Sequence, residues 1–289
     1  MITWNELGVE RQRILRLLTV VQALRGSQVA RLTASSYRLA MYHLDVLART
    51  GLVDRVVSTG GSKVWCASAA GLRLLSRLAG QPIAGLKSAQ LAAHAAQVAE
   101  FLVRVLEERQ GSLVLSGVGF RVEVELRPGL RCDALAQVGW ELTPRQDRLV
   151  GSPLEGLVGN GQVGRTGAPR ELALALEVDR GTMTLVRMAR KAKLYARYYT
   201  ERWRWEKSYG AFPLPVVVTA GPARAGAIWL RWRQALSDEA DWAVSCWEWL
   251  EGGIIYGRWL NADGSVAALL DSAPPVPGVP EPVQAGQQE

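Results

Sequence analysis

The chain has 289 residues, 48% of them hydrophobic, which is ample for real cores and suggests two domains. No apolar run approaches the roughly 20 residues that span a bilayer. The opening Met-Ile-Thr-Trp-Asn-Glu lacks the basic-then-apolar pattern of a signal peptide, so a cytoplasmic protein with no membrane partner is expected. Cys66, Cys132 and Cys246 are scattered and form no Cys-x-x-Cys pair, which argues against a disulfide framework and a zinc site. His43 and His94 are the only histidines, so a site built on three histidines is excluded within one chain.

The net charge of +7 is unevenly placed. Residues 1–80 hold eleven of the 34 Lys and Arg but only four of the 27 Asp and Glu. The remaining chain is balanced at 23 of each, so all the excess positive charge lies in the first 80 residues. A basic segment beside a neutral one points to a polyanion partner for the basic one.

In chain order, Ile14, Leu17, Leu18 and Val21 recur at helical spacing and predict a first helix from about Glu10 to Leu24. A Gly-Ser break at 26–27 precedes a short second helix, Gln28 to Leu32. Thr33 to Ser36 supply N-caps for a third helix over Tyr37 to Thr50, with Ala40, Leu44 and Leu47 inward and Gly51 as its stop. Leu52 to Val57 and Lys63 to Ala67 read as strands around a Gly-rich hairpin tip. Three helices followed by a Gly-tipped hairpin is the order of a winged helix-turn-helix. The run from His43 to Arg55, His-Leu-Asp-Val-Leu-Ala-Arg-Thr-Gly-Leu-Val-Asp-Arg, resembles the third helix and first wing strand of bacterial winged-helix regulators. Ala70-Gly71 resembles the start of their next helix. That resemblance implies a third helix in the major groove. It places Ser36, Tyr37, Arg38, Met41 and Tyr42 toward double-stranded DNA, with Arg55 and Lys63 flanking the backbone from the wing.

Gly80-Gln81-Pro82 reads as a linker between a domain over 1–80 and a second over 86–271. Ser88 to Glu108 is a long amphipathic helix carrying His94. Ser112 to Leu115, Arg121 to Leu126 and Leu130 to Val138 read as strands, the last containing Asp133. A polar, Gly-rich stretch near 141–170 is expected to be a flexible insertion. Leu172 onward is a buried strand ending in Glu177 and Asp179, which share a face because alternate strand residues do. Gly181 ends the strand, and a helix follows with Leu185, Met188, Ala192 and Tyr195 on one side. Arg187, Arg190, Lys191, Lys193 and Arg197 surround it. An acid pair beside a cationic helix can hold a hard divalent cation and a phosphate together.

Phe212 to Thr219 is a further strand. Eight tryptophans follow Thr200, and Trp229 and Trp232 fall at helical spacing. That spacing favours core packing over a stacking platform for single-stranded DNA. The Pro-, Gly- and Gln-rich tail over 272–289 is expected to be disordered.

The assembled order resembles the core of the PD-(D/E)XK nuclease superfamily, an α/β domain. More specifically, the chain over about 8–220 resembles the bacterial replication-relaxation family of plasmids and other mobile elements, whose members join a winged helix to a nuclease-like domain. Arg131-Cys132-Asp133-Ala134 is similar to its Arg-Pro-Asp-Ala motif, and Glu177 to Thr182 to its Glu-x-Asp-Arg-Gly-Thr motif. Lys191, Tyr195 and His94 match its recurrent positions. Two departures stand out: Cys132 replaces a proline, and Asp179 stands where a catalytic member of the wider superfamily has lysine.

Three functions are therefore in play. The favoured one is a non-catalytic DNA-binding protein in replication, transfer or transcription control, acting alone or as a homodimer. The second is an endonuclease using Asp133, Glu177 and Asp179 on Mg²⁺ or Mn²⁺, with Lys191 or Lys193 reaching in from the helix. The third is a protein-docking adaptor in a replication or defence assembly. The acids are expected to converge beside a lysine.

Overall fold

The computed structural model describes residues 3–57, 61–86, 89–108, 113–142, 170–236 and 240–269. Most of the insertion near 141–170, the tip of the first hairpin and the tail beyond 269 lie outside the described residues.

The N-terminal elements are α1 (Val9–Val21), β1 (Ala23–Leu24), α2 (Gly26–Leu32), α3 (Tyr37–Arg49), β2 (Val53–Val57), β3 (Lys63–Ala67) and α4 (Ala69–Ala79). α1 buries Ile14, Leu17, Leu18 and Val21, as its periodicity requires. The Ser36 hydroxyl accepts the Leu39 N–H at 3.2 Å and starts α3, which buries Ala40, Leu44 and Leu47. The three strands form an antiparallel sheet in the order β1-β3-β2. α2 begins at Gly26 itself, where a break was expected. A Cβ there would lie 2.6 Å from the Met41 sulfur, so glycine allows α2 and α3 to approach.

The remaining elements are α5 (Ala89–Glu107), β4 (Leu113–Arg127), β5 (Leu130–Leu142), β6 (Arg170–Asp179), α6 (Leu185–Thr200), α7 (Arg202–Tyr209), β7 (Leu214–Thr219), α8 (Pro222–Arg233), β8 (Ala243–Cys246), β9 (Trp259–Asn261) and β10 (Val266–Ala267). Their strands form one seven-stranded sheet, ordered β10-β9-β8-β7-β6-β5-β4. β6, β7 and β8 run parallel, and the other pairs run antiparallel. β4 is one long strand with register shifts at Leu115/Gly117 and Glu125/Arg127, where two short strands were expected.

Successive parallel crossovers of one hand put their helices on one side of a sheet. α6 and α8 accordingly share a face, packing Met188, Ala192, Tyr195, Ile228 and Trp232 against Leu135, Ala175, Val217 and Val244. The opposite face of β6 and β7, Leu174, Leu176, Val178, Val216 and Val218, packs on α5. That core continues without a break into Ile14, Leu18, Leu44 and Trp65 of the N-terminal elements. The fold is mixed α and β, with two sheets joined through α5.

Candidate functional site

The strand β6 delivers Glu177 and Asp179 to the α6/α8 side, and each is only 3% exposed. A buried carboxylate must find donors, because leaving water costs several kcal/mol per ion. Glu177 finds them on α6: the Tyr195 hydroxyl donates to Oε1 at 2.7 Å and the Lys191 ammonium donates to Oε2. Lys191 and Tyr195 are four residues apart, so one helical face presents both.

Asp179 turns instead to α8 and β7. Arg224 Nε and the Thr219 hydroxyl donate to Oδ2 at 2.8 and 2.9 Å. Arg224 Nη2 and the Gly181 N–H donate to Oδ1 at 3.4 and 3.1 Å. The same guanidinium also donates to the Met183 carbonyl, which fixes the turn after β6.

Asp133 lies where the β5–β6 ladder stops, just beyond the Ala134–Leu176 pair. Its Oδ2 accepts the Val178 N–H at 2.7 Å, so a side chain replaces the missing strand partner. From the other face of the sheet, His94 of α5 approaches Oδ1 at 3.1 Å. Each of the three acids therefore has its own basic partner: Asp133 with His94, which is a cation once protonated, Glu177 with Lys191, and Asp179 with Arg224.

The electrostatics follow from burial and these partners. Burial pushes the Glu177 carboxyl up, to about 8, against the pull of Lys191. Burial opposes the charge on Lys191, but the Glu177 and Asp133 carboxylates outweigh it and raise the ammonium above its ordinary value. The pair titrates as a unit, taking up an extra proton well above the carboxylate range. For His94, burial is likewise outweighed by the hydrogen bond and charge of Asp133, and its pKa is raised. Burial would raise Asp133, yet His94 holds it below its ordinary value. Burial pushes the Cys132 thiol far up, so it is no ready nucleophile.

Asp133, Glu177 and Asp179 are the residues that would hold Mg²⁺ or Mn²⁺ in a PD-(D/E)XK-type nuclease. All six of their oxygens face a donor from the protein in this arrangement. Among the described residues, no group of three or more His, Cys, Asp or Glu is placed to hold a metal ion. The donor set thus fits fixed counter-charges and does not fit a divalent cation. Lys193 points away from this network and is exposed on α6.

The residues singled out for DNA lie on α3 and the β2–β3 hairpin. Tyr37 and Tyr42 are 60% and 52% exposed, and Arg38, Arg55 and Lys63 are exposed as well. Ser36 is exposed but spends its hydroxyl on the cap of α3. Met41 is half-buried and packs against the core. Arg49 was not singled out from the sequence, yet it shares a cleft of about 580 Å³ with Asp45, Arg55 and Trp65. Arg224 was missed too, because nothing in its own stretch marks a partner 45 residues away.

A mixed α and β protein, with a basic N-terminal module and a buried, cation-paired acid cluster at the ends of β5 and β6, is thus defined. The chain belongs to the replication-relaxation family, whose sequence model matches residues 15–214. Comparison with curated proteins and with solved structures finds no match. No helix among the described residues is long and apolar enough to cross a membrane.

Proposed function

We propose that this is a double-stranded DNA-binding protein acting in replication, transfer or transcription control of a plasmid or other mobile element. The N-terminal module, residues 1–80, serves as a winged helix, and the second half is a PD-(D/E)XK-like core in a non-catalytic role. The observation that carries this reading is the outer face of α3. Tyr37, Arg38 and Tyr42 stand in solvent, while the same helix is locked from behind by Ala40, Leu44 and Leu47. A rigid helix with polar, aromatic and cationic side chains outward suits base-edge readout, with Arg49, Arg55 and Lys63 for phosphates. The confinement of the +7 charge to residues 1–80 supports the same partner. The cation-paired acids support a structural role for the nuclease-like core.

The test uses the full chain, because the module shares its core with α5. Duplex DNA should shift at low salt and release steeply as salt rises. Arg38→Ala should cost about 1–3 kcal/mol at a preferred sequence and less at random DNA. Lys63→Ala should weaken both alike. Plasmid incubated with Mn²⁺ should stay uncut, and nicking that is lost in Glu177→Gln would establish the endonuclease instead. Wild-type protein that fails to shift duplex at low salt defeats the reading.

A further inference from the structure

α6 carries five cations and no acid in its 16 residues. Lys191 turns inward to Glu177, but Arg187, Arg190, Lys193 and Arg197 all stand exposed. They follow one another at spacings of three, three and four, so they form a single row along the helix. Among the described residues, none of the four has an ion-pair partner, whereas Arg202, Arg204 and Arg224 each do. Like charges one turn apart repel and destabilise a helix, and among the described residues no ion pair offsets that.

The row leads to Trp203 at the start of α7. Trp203 is 67% exposed, while Trp205, two residues on, is buried at 9%. The Arg204 guanidinium lies 4.6 Å from the Trp203 ring centroid. Lys207 stands exposed one turn farther along α7. A large aromatic ring left in water at the end of an uncompensated cationic row calls for a ligand with both phosphates and free π-faces. Duplex DNA hides its base faces in the stack, whereas an unpaired strand presents them.

We propose that the outer face of α6, together with Trp203 and Lys207 of α7, is a binding surface for single-stranded DNA. Arg187, Arg190, Lys193 and Arg197 track the phosphates, and Trp203 stacks on a base. α6 packs on the opposite side of the seven-stranded sheet from α5 and the N-terminal module. The surface is therefore separate from the α3 face and does not depend on it.

The test is anisotropy of a fluorescein-labelled oligo-dT and of a duplex of equal length, with the full chain. Wild type should bind oligo-dT saturably. Trp203→Ala should weaken oligo-dT binding by about five- to a hundredfold while leaving the duplex unchanged, and Trp203→Phe should retain most of it. The Arg190→Gln, Lys193→Gln, Arg197→Gln variant should flatten the log–log salt slope for oligo-dT by about 2. Arg38→Ala should do the converse, weakening the duplex and keeping oligo-dT, so failure of the α3 reading is told apart. The inference is overturned if wild type fails to saturate with oligo-dT. It is overturned equally if Trp203→Ala binds oligo-dT as wild type does, or loses duplex to the same extent.

Discussion

Replacing Lys191 by methionine isolates the buried pair at the centre of the network. The methionine keeps an unbranched side chain of similar length and removes the ammonium. Glu177 then retains the Tyr195 hydroxyl alone. Left ionised and unpaired, a buried carboxylate costs about 3–5 kcal/mol. Taking up a proton avoids that cost, and Glu177 in the wild type already does so at about 8. The sign follows from a folded value above the unfolded one: the contribution to stability is complete below the ordinary carboxylate range and is lost as pH rises toward the folded value. In wild type that loss ends near 8, because Lys191 then holds the ionised form. In Lys191→Met it continues, at about 1.4 kcal/mol per pH unit. Urea denaturation should therefore show a small deficit at pH 6 that widens by about 1–1.5 kcal/mol by pH 9. With Glu177→Gln as the background the titrating group is gone, so Glu177→Gln and Lys191→Met/Glu177→Gln should have parallel profiles. Parallel profiles for the single variant and wild type would refute the reasoning.

Three further expectations follow from the same geometry. Arg224→Met should destabilise by about 3–5 kcal/mol because Asp179 is buried, and Arg224→Lys should recover only part, since an ammonium cannot span both Asp179 oxygens and the Met183 carbonyl; full recovery in thermal melts would mean the charge alone matters. The His94 ring should titrate above its ordinary value by NMR and drop back in Asp133→Asn, with the stability from this contact present at low pH and lost as pH rises through the raised value; an unmoved midpoint in Asp133→Asn would remove Asp133 as the cause. Gly71→Ala should unfold or strongly destabilise the N-terminal module, because its Cβ would fall 2.1 Å from the Leu52 carbonyl oxygen; a stable variant by circular dichroism would show that α4 can move away.

The parts of the fold that were legible in the sequence are those set by local rules. The 3.6-residue period marks α1 and α3 with the correct buried positions, and Ser36 marks the start of α3. The alternation along β6 puts Glu177 and Asp179 on one face; Lys191, one of two lysines expected beside the acids, reaches Glu177, and so does Tyr195, for which no such contact was expected. Four of the eight late tryptophans, Trp205, Trp232, Trp242 and Trp259, are buried, and Trp229, Trp247 and Trp249 pack half-buried against the cores. Other features are hidden for physical reasons. β1 has two residues, too few to show any period. Gly117 interrupts the apolar pattern of β4, while the backbone continues through it with a register shift. The choice of cation for each acid depends on how helices dock on the sheet, which links Asp133 to a histidine 39 residues before it and Asp179 to an arginine 45 residues after it.

The helix α5 is what makes these features one object. Toward the N-terminal module, its Glu100 receives Gln28 at 2.9 Å and Arg31 at 2.8 Å, and its Ala96 carbonyl receives Gln28 at 2.8 Å. Toward the sheet, His94 reaches Asp133, while Arg104 donates to the Leu250 carbonyl at 2.8 Å. Glu108, just past its end, accepts the N–H groups of Ile254, Ile255 and Tyr256 at 2.7–2.9 Å. Both sides of the helix are also buried in one apolar cluster. Polar contacts on both sides, most of them part-buried, oppose sliding, since a swivel would strand donors and acceptors partly out of water. The module and the seven-stranded half should therefore unfold in one cooperative transition, with Trp65 and Trp247 reporting the same midpoint. Distinct midpoints for the two would mean that the module turns freely on α5. A single midpoint would mean that the α3 and α6 faces stand at an angle fixed by α5.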